Sequence, residues 1–216
     1  SATGLAGNID IDTSGGNIQF NSAVGGQHNL TLTAGAGNIT FNDRLGGDGI
    51  GTICVFNCDG LPTVDNTQPL AAILIRSANQ TLFASTVDAD SLTQKAGTLT
   101  TIQGNVTTSQ AQGINLTAAD IRLGDPDVGE LAIDTSIGNG IVRFDGATRL
   151  ETDVIIDRGS RDVTFAGTLD SVAVSVKGTT ISALSTLDFD GENGGAINFE
   201  GAVGASDRGR LGLVTV

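Results

Sequence analysis

The chain has 216 residues, 39% of them hydrophobic, and a formal charge of -13, so it can bury a sizeable core while staying strongly acidic. It carries 31 glycines against three prolines, and eight phenylalanines but no Trp, Tyr or Met, a balance that excludes collagen and Pro-rich disorder. Its basic residues are scattered singly and no apolar run reaches the roughly 20 residues of a bilayer span, so neither nucleic acid nor a membrane span is expected.

Residues 7–49 contain four alternating runs, NIDID, NIQFN, NLTLT and NITFN. Side chains two apart share a face of an extended chain, so Ile18 and Phe20 are expected on one side and Asn17, Gln19 and Asn21 on the other. The segments between them, TSGG, SAVGGQH and AGAG, supply the glycine and small polar residues that turns require. The stretch 50–70, IGTICVFNCDGLPTVDNTQPL, breaks this rhythm and holds two of the three prolines, which predicts an insertion looping out of the body. It also holds Cys54 and Cys58, whose separation suits a local disulfide in an oxidising compartment, the alternative being two buried thiols.

From residue 71 the alternation resumes with AAILIRSANQ and continues to LGDPDVGE at 123–130, a turn carrying Asp125, Asp127 and Glu130. About eight further short strands are expected over 131–216 with no linker, so the whole chain, 1–216, reads as one domain.

Two phrases recur. GGNIQFNSAVGG at 15–26 returns as AGNITFNDRLGG at 36–47, placing Phe20 and Phe41 21 positions apart, and IVRFDGATRL, DVTFAGTLDS and AINFEGAVGA read as looser copies. A second phrase has Leu or Ile at every other position: LTLTAG, ILIRSA, INLTAA, LAIDTS and LGLVTV. A fixed period of this size marks a repeat architecture. An antiparallel sandwich or barrel would also suit many short strands, but only a solenoid requires like to follow like, because each coil lies about 4.8 Å from the last. The expected fold is all-β, a single parallel β-solenoid (β-helix) of about ten coils with one inserted loop, a rod roughly 50 Å long.

GNITFN with FNSAVGG, LTLTAGAG, and VDADSLTQKAG with INLTAADIRL together resemble the repetitive β-solenoid surface proteins of bacteria, similar in style to filamentous haemagglutinins and other β-strand-repeat adhesins. The resemblance covers nearly the whole chain except 50–70. It implies an exported stalk, adhesin or matrix fibre at the cell surface and brings no catalytic residues with it. The cysteines depart from the pattern, since proteins of this type often lack them.

Reactive constellations are sparse. His28, in the Gly-rich corner GGQHNL, is the one histidine, and such a turn residue is ordinarily solvated rather than part of a triad. Asp188, Asp190 and Glu192 in LDFDGEN, or Asp125 and Asp127, could pair as in a glycan-active β-helix enzyme, but Trp and Tyr to line a cleft are absent. No enzyme activity is expected. No cofactor is expected either; DFDGEN at 188–193 resembles the start of an acidic calcium loop, and GGDGIG at 46–51 lacks its final aspartate, so solvated turn carboxylates are the simpler account of both and calcium is the alternative. Five N-x-Thr triplets, at Asn29, Asn38, Asn79, Asn105 and Asn115, are glycosylation acceptors in form. In this composition their simpler role is at strand starts, where stacked Asn can form amide ladders.

The chain starts without Met and without a signal peptide, which reads as a mature fragment or a piece of a longer polypeptide. It opens with SATGLAGNIDID and closes with GRLGLVTV, inside the repeat pattern at both ends and without a polar cap. The expected partners are therefore copies of itself or neighbouring repeats, end to end, giving an extracellular filament subunit. The alternative is an adhesin that touches a polysaccharide or host surface through 50–70.

Overall fold

The computed structural model describes residues 3–46, 69–171, 187–190, 195–204 and 214–215. Among them the structure is all-β without helices, and every strand pairing is parallel. Seventeen strands join one continuous array and two more pair separately. This arrangement fits a β-helix, because a parallel partner can be reached only by a crossover that carries the chain around.

The registers link into three ladders. In the first, Ile9 pairs with Leu30, and the line continues through Ile73, Leu92, Ile114, Val142, Val163 and Ile197, eight aligned positions. The second runs from Ile18 through Ile39, Thr81, Thr100, Ile121, Thr148 and Leu169 to Val203. The third joins Thr3, Val24, Leu45, Val87, Val106, Ile133, Ile156 and Phe189, and a ninth strand follows on this face where Leu187 pairs with Val214. One pass of the chain visits the three ladders in turn. Several strands serve two of them: Leu70–Phe83 contributes Ile73 to the first and Thr81 to the second.

The expected alternation holds. Ile18 is buried while Gln19 and Asn21 are exposed, and Leu30, Leu32, Ile73 and Ile75 have no accessible surface. The buried aliphatic lines form one contiguous core with Phe41, Phe83, Phe144, Phe165 and Phe189, and Phe20 packs against it. Phe20, Phe41 and Phe83 stack with centroids 5.1 Å apart and near-parallel rings.

The assignment of phrases is corrected by register. Phe144 aligns with Leu116, and Phe165 and Phe199 follow it, so these three stand on the first ladder. Phe20, Phe41 and Phe83 stand on the second. IVRFDGATRL is thus a continuation of the LTLTAG phrase rather than a looser copy of GGNIQFN. LAIDTS belongs to the third ladder, since Leu131 pairs with Val154 and Ile133 with Val106. Every strand shares the same two-residue alternation, and the turns that decide which face comes next differ in length. The step from Ile9 to Leu30 is 21 positions, that from Ile114 to Val142 is 28. The step between layers is therefore not uniform.

Corners are made by irregularities in register. Between Thr117 and Asp120 two residues, Ala118 and Ala119, lie opposite the single Gly146, a bulge that turns the strand from the first ladder to the second. Of the expected insertion at 50–70, all but the last two residues lie outside the described residues; beside it, the Leu70 amide nitrogen lies 2.9 Å from where a Cβ on Gly46 would stand. Leu70 itself is a buried strand residue paired with Ala89.

Candidate interaction faces

The residues singled out by sequence are dispersed rather than gathered. Cys54, Cys58 and Glu192 lie outside the described residues, and Asp188 and Asp190 are described only by backbone register, opposite Ile155 and Asp157 on the third ladder. His28 sits half-buried in its turn, its amide donating to the Gly26 carbonyl and its own carbonyl accepting from the Ala71 amide. Asp125 accepts the Asp127 amide at 2.9 Å, so this pair closes a local turn. Among the described residues no group of three or more His, Cys, Asp or Glu is placed to hold a metal ion.

The asparagines do bind one layer to the next. The Asn29 amide donates to Asn8 Oδ1 and the Asn38 amide to Asn17 Oδ1, each across 21 residues of sequence. Asn79 Nδ2 donates to Asn38 Oδ1, Asn42 Nδ2 to Asn21 Oδ1, and Asn105 Oδ1 accepts the Ala132 amide. Of the five N-x-Thr asparagines, four therefore take part in bonds between layers. For Asn79 the Nδ2 atom that a glycan would need is engaged.

The outward positions give each face its own electrostatics. On the first, Arg76 reaches Asp10 at 2.9 Å in an exposed pair. Arg143 forks onto Asp145, its Nε 3.0 Å from Oδ2 and a terminal nitrogen 2.6 Å from Oδ1, and also meets Glu200 at 3.5 Å. The hydrogen bond to Asp145 raises the Arg143 pKa above its ordinary value, with burial opposing it. The third face is acidic: register sets Asp88 beside Thr107, Thr107 beside Asp134, and Asp134 beside Asp157.

The second face carries a mixed group. Parallel register places Arg122, Arg149 and Asp170 at equivalent positions of successive layers. Glu151, its side chain only 15% exposed, lies 3.9 Å from Arg122 Nε and 3.5 Å from Arg149 Nε. Arg122, Arg149 and Asp170 line an open depression of about 320 Å³ together with Asp120, Thr148 and Thr168, and Glu151 stands beside it. Sequence reading passed over this group. Its trace is the recurrence of IRLG at 121–124 as TRLE at 148–151, in which an arginine precedes the buried leucine both times.

Family models, curated proteins and solved structures were compared with the chain, and none matches. What the faces offer chemically is pairing and binding through charged and amide groups held at a fixed spacing.

Proposed function

We propose that this chain is a three-faced parallel β-solenoid that works mechanically, as a filament subunit or stalk segment of a bacterial surface protein outside the cell. The observation that carries the reading is the register of the three ladders, in which each layer repeats the backbone pairing of the one before. The eight to nine layers among the described residues, at about 4.8 Å, give a body roughly 35–40 Å long. Load along its axis is shared among parallel hydrogen bonds, asparagine bridges and stacked core residues. A strand edge of this kind is complementary to another of the same kind, so copies of the chain, or neighbouring repeats of a longer one, would continue the ladders end to end. Such a contact is heterologous and builds a filament.

Electron microscopy of the purified 216-residue chain at neutral pH, with and without calcium, tests this. Long uniform fibres that disappear when residues 211–216 are removed are expected. Single short rods at every concentration would sink self-assembly.

A second reading, an adhesin that contacts a polysaccharide or host surface through the insertion, draws on the meeting of Gly46 and Leu70. A segment joined at one point can be removed without disturbing the ladders. Deleting 48–68 separates the two readings, abolishing surface binding but sparing fibres if the insertion is the binding element.

A further inference from the structure

We infer that the depression on the second face binds an acidic sugar, one hexuronate unit of a glycan chain. Its volume, about 320 Å³, falls in the range of small-ligand sites. The strands Ile114–Leu123, Val142–Leu150 and Leu169–Ser171 supply its floor, so its polar groups stand on paired backbone rather than on loops.

The charge pattern selects the ligand. Arg122 and Arg149 occupy adjacent layers about 4.8 Å apart, two like charges that Glu151 holds together from one side. These ion pairs use Nε of each guanidinium. A guanidinium presents five N–H donors in a rigid fork, so the terminal nitrogens remain suited to grip a carboxylate in the bidentate manner. With Glu151, Asp120 and Asp170 beside the two arginines the formal charges named here sum to -1, so a carboxylate is drawn by the paired guanidinium forks and not by net charge. Asp120 and Asp170 line the same depression, and they set a limit on what can enter. A doubly charged anion such as phosphate meets repulsion from both, and a divalent cation meets it from both arginines. A ligand with one negative charge and several hydroxyls satisfies the whole set, its carboxylate on the arginines and its hydroxyls donating to the aspartates and to the Thr168 hydroxyl. One Asp170 oxygen, Oδ1, is shielded and has no partner among the described residues, so hydrogen bonding by this carboxylate falls to its other oxygen. The lining is polar, which disfavours an apolar peptide side chain. The inference uses no residue of the insertion and does not depend on filament assembly.

Calorimetric titration of the full 216-residue chain with trigalacturonate tests it, with galactotriose, acetate and inorganic phosphate as comparison ligands. Trigalacturonate should bind at least tenfold more tightly than each of these. The double variant Arg122→Gln, Arg149→Gln should lose at least tenfold in affinity with unchanged circular dichroism, its unfolding midpoint lowered only by the loss of both partners of the mostly buried Glu151. Arg122→Lys with Arg149→Lys keeps the charge but not the fork, and should lose severalfold. Absence of trigalacturonate binding, or full affinity in the glutamine variant, overturns the proposal. Acetate or phosphate binding as tightly as trigalacturonate overturns it too, by showing a general anion site.

Discussion

Asn38 shows how a single residue joins layers. Its amide donates to Asn17 Oδ1 on one side and its Oδ1 accepts Asn79 Nδ2 on the other, so it spans three layers through one residue. Asn38→Ala removes the acceptor and should cost about 1 kcal/mol in urea unfolding, whereas Asn38→Asp keeps an acceptor and should cost less. Gly167 works by what it lacks. A Cβ there would stand 2.2 Å from the Gly146 carbonyl oxygen, and one on Gly201 would stand 2.2 Å from that of Gly167. The corner thus stacks backbone on backbone, and Gly167→Ala should destabilise by about 1–3 kcal/mol through the shift it forces. Thermal unfolding that leaves this variant unchanged would refute the close approach. These glycines were legible in retrospect: FDG, FAG and FEG, at 144–146, 165–167 and 199–201, mark a phenylalanine followed by this corner. FNS and FND after Phe20 and Phe41 do not, because those residues precede a different turn.

At the scale of the element, stability comes from lines of like residues. Phe41 is 1% exposed and stacks on Phe20 and Phe83, with interplanar angles of 8° and 11°. Phe41→Ala removes this middle ring and should cost about 3–5 kcal/mol. Phe199, at 37% exposure, stacks on Phe165 alone among its own ladder and should cost clearly less when truncated. Equal losses in denaturant unfolding would argue against the two stacks. The lines also contain misfits. Thr81 and Thr100 pair on the second ladder between Ile39 and Ile121, and their Oγ1 atoms are buried without partners among the described residues. A buried hydroxyl without a partner is costly, so Thr100→Val should stabilise by about 1 kcal/mol. A loss of stability would mean that the hydroxyl is satisfied by water within the core. Composition had shown the apolar lines but not these breaks, since threonine alternates as readily outward as inward.

For the molecule as a whole, the charge of -13 opposes association of copies. Raising ionic strength from 0.01 to 0.15 M shortens the Debye length from about 30 to about 8 Å, so end-to-end assembly should rise with salt, measured by light scattering. Binding of an acidic sugar at the arginine pair should weaken under the same change. The two responses have opposite sign and can be read on one preparation.

The sequence by itself determined the class of structure. Two-residue alternation, glycine at the turns and a recurring phrase specify stacked parallel strands with an aliphatic and phenylalanine interior, because identical layers are the simplest way to bury such a pattern. Even the asparagine bridges follow from it, since residues 21 apart in a repeat fall one above the other. Only the tertiary structure decided which face each strand occupies. Turn lengths vary and the alternation is the same on every face, so Phe20 and Phe144 look alike in sequence yet stand on different ladders. The meeting of Arg122, Arg149, Glu151 and Asp170 was likewise decided there. The apolar pattern places no demand on these positions, and only register brings Arg122, Arg149 and Asp170, separated by tens of positions, into one depression with Glu151 beside it.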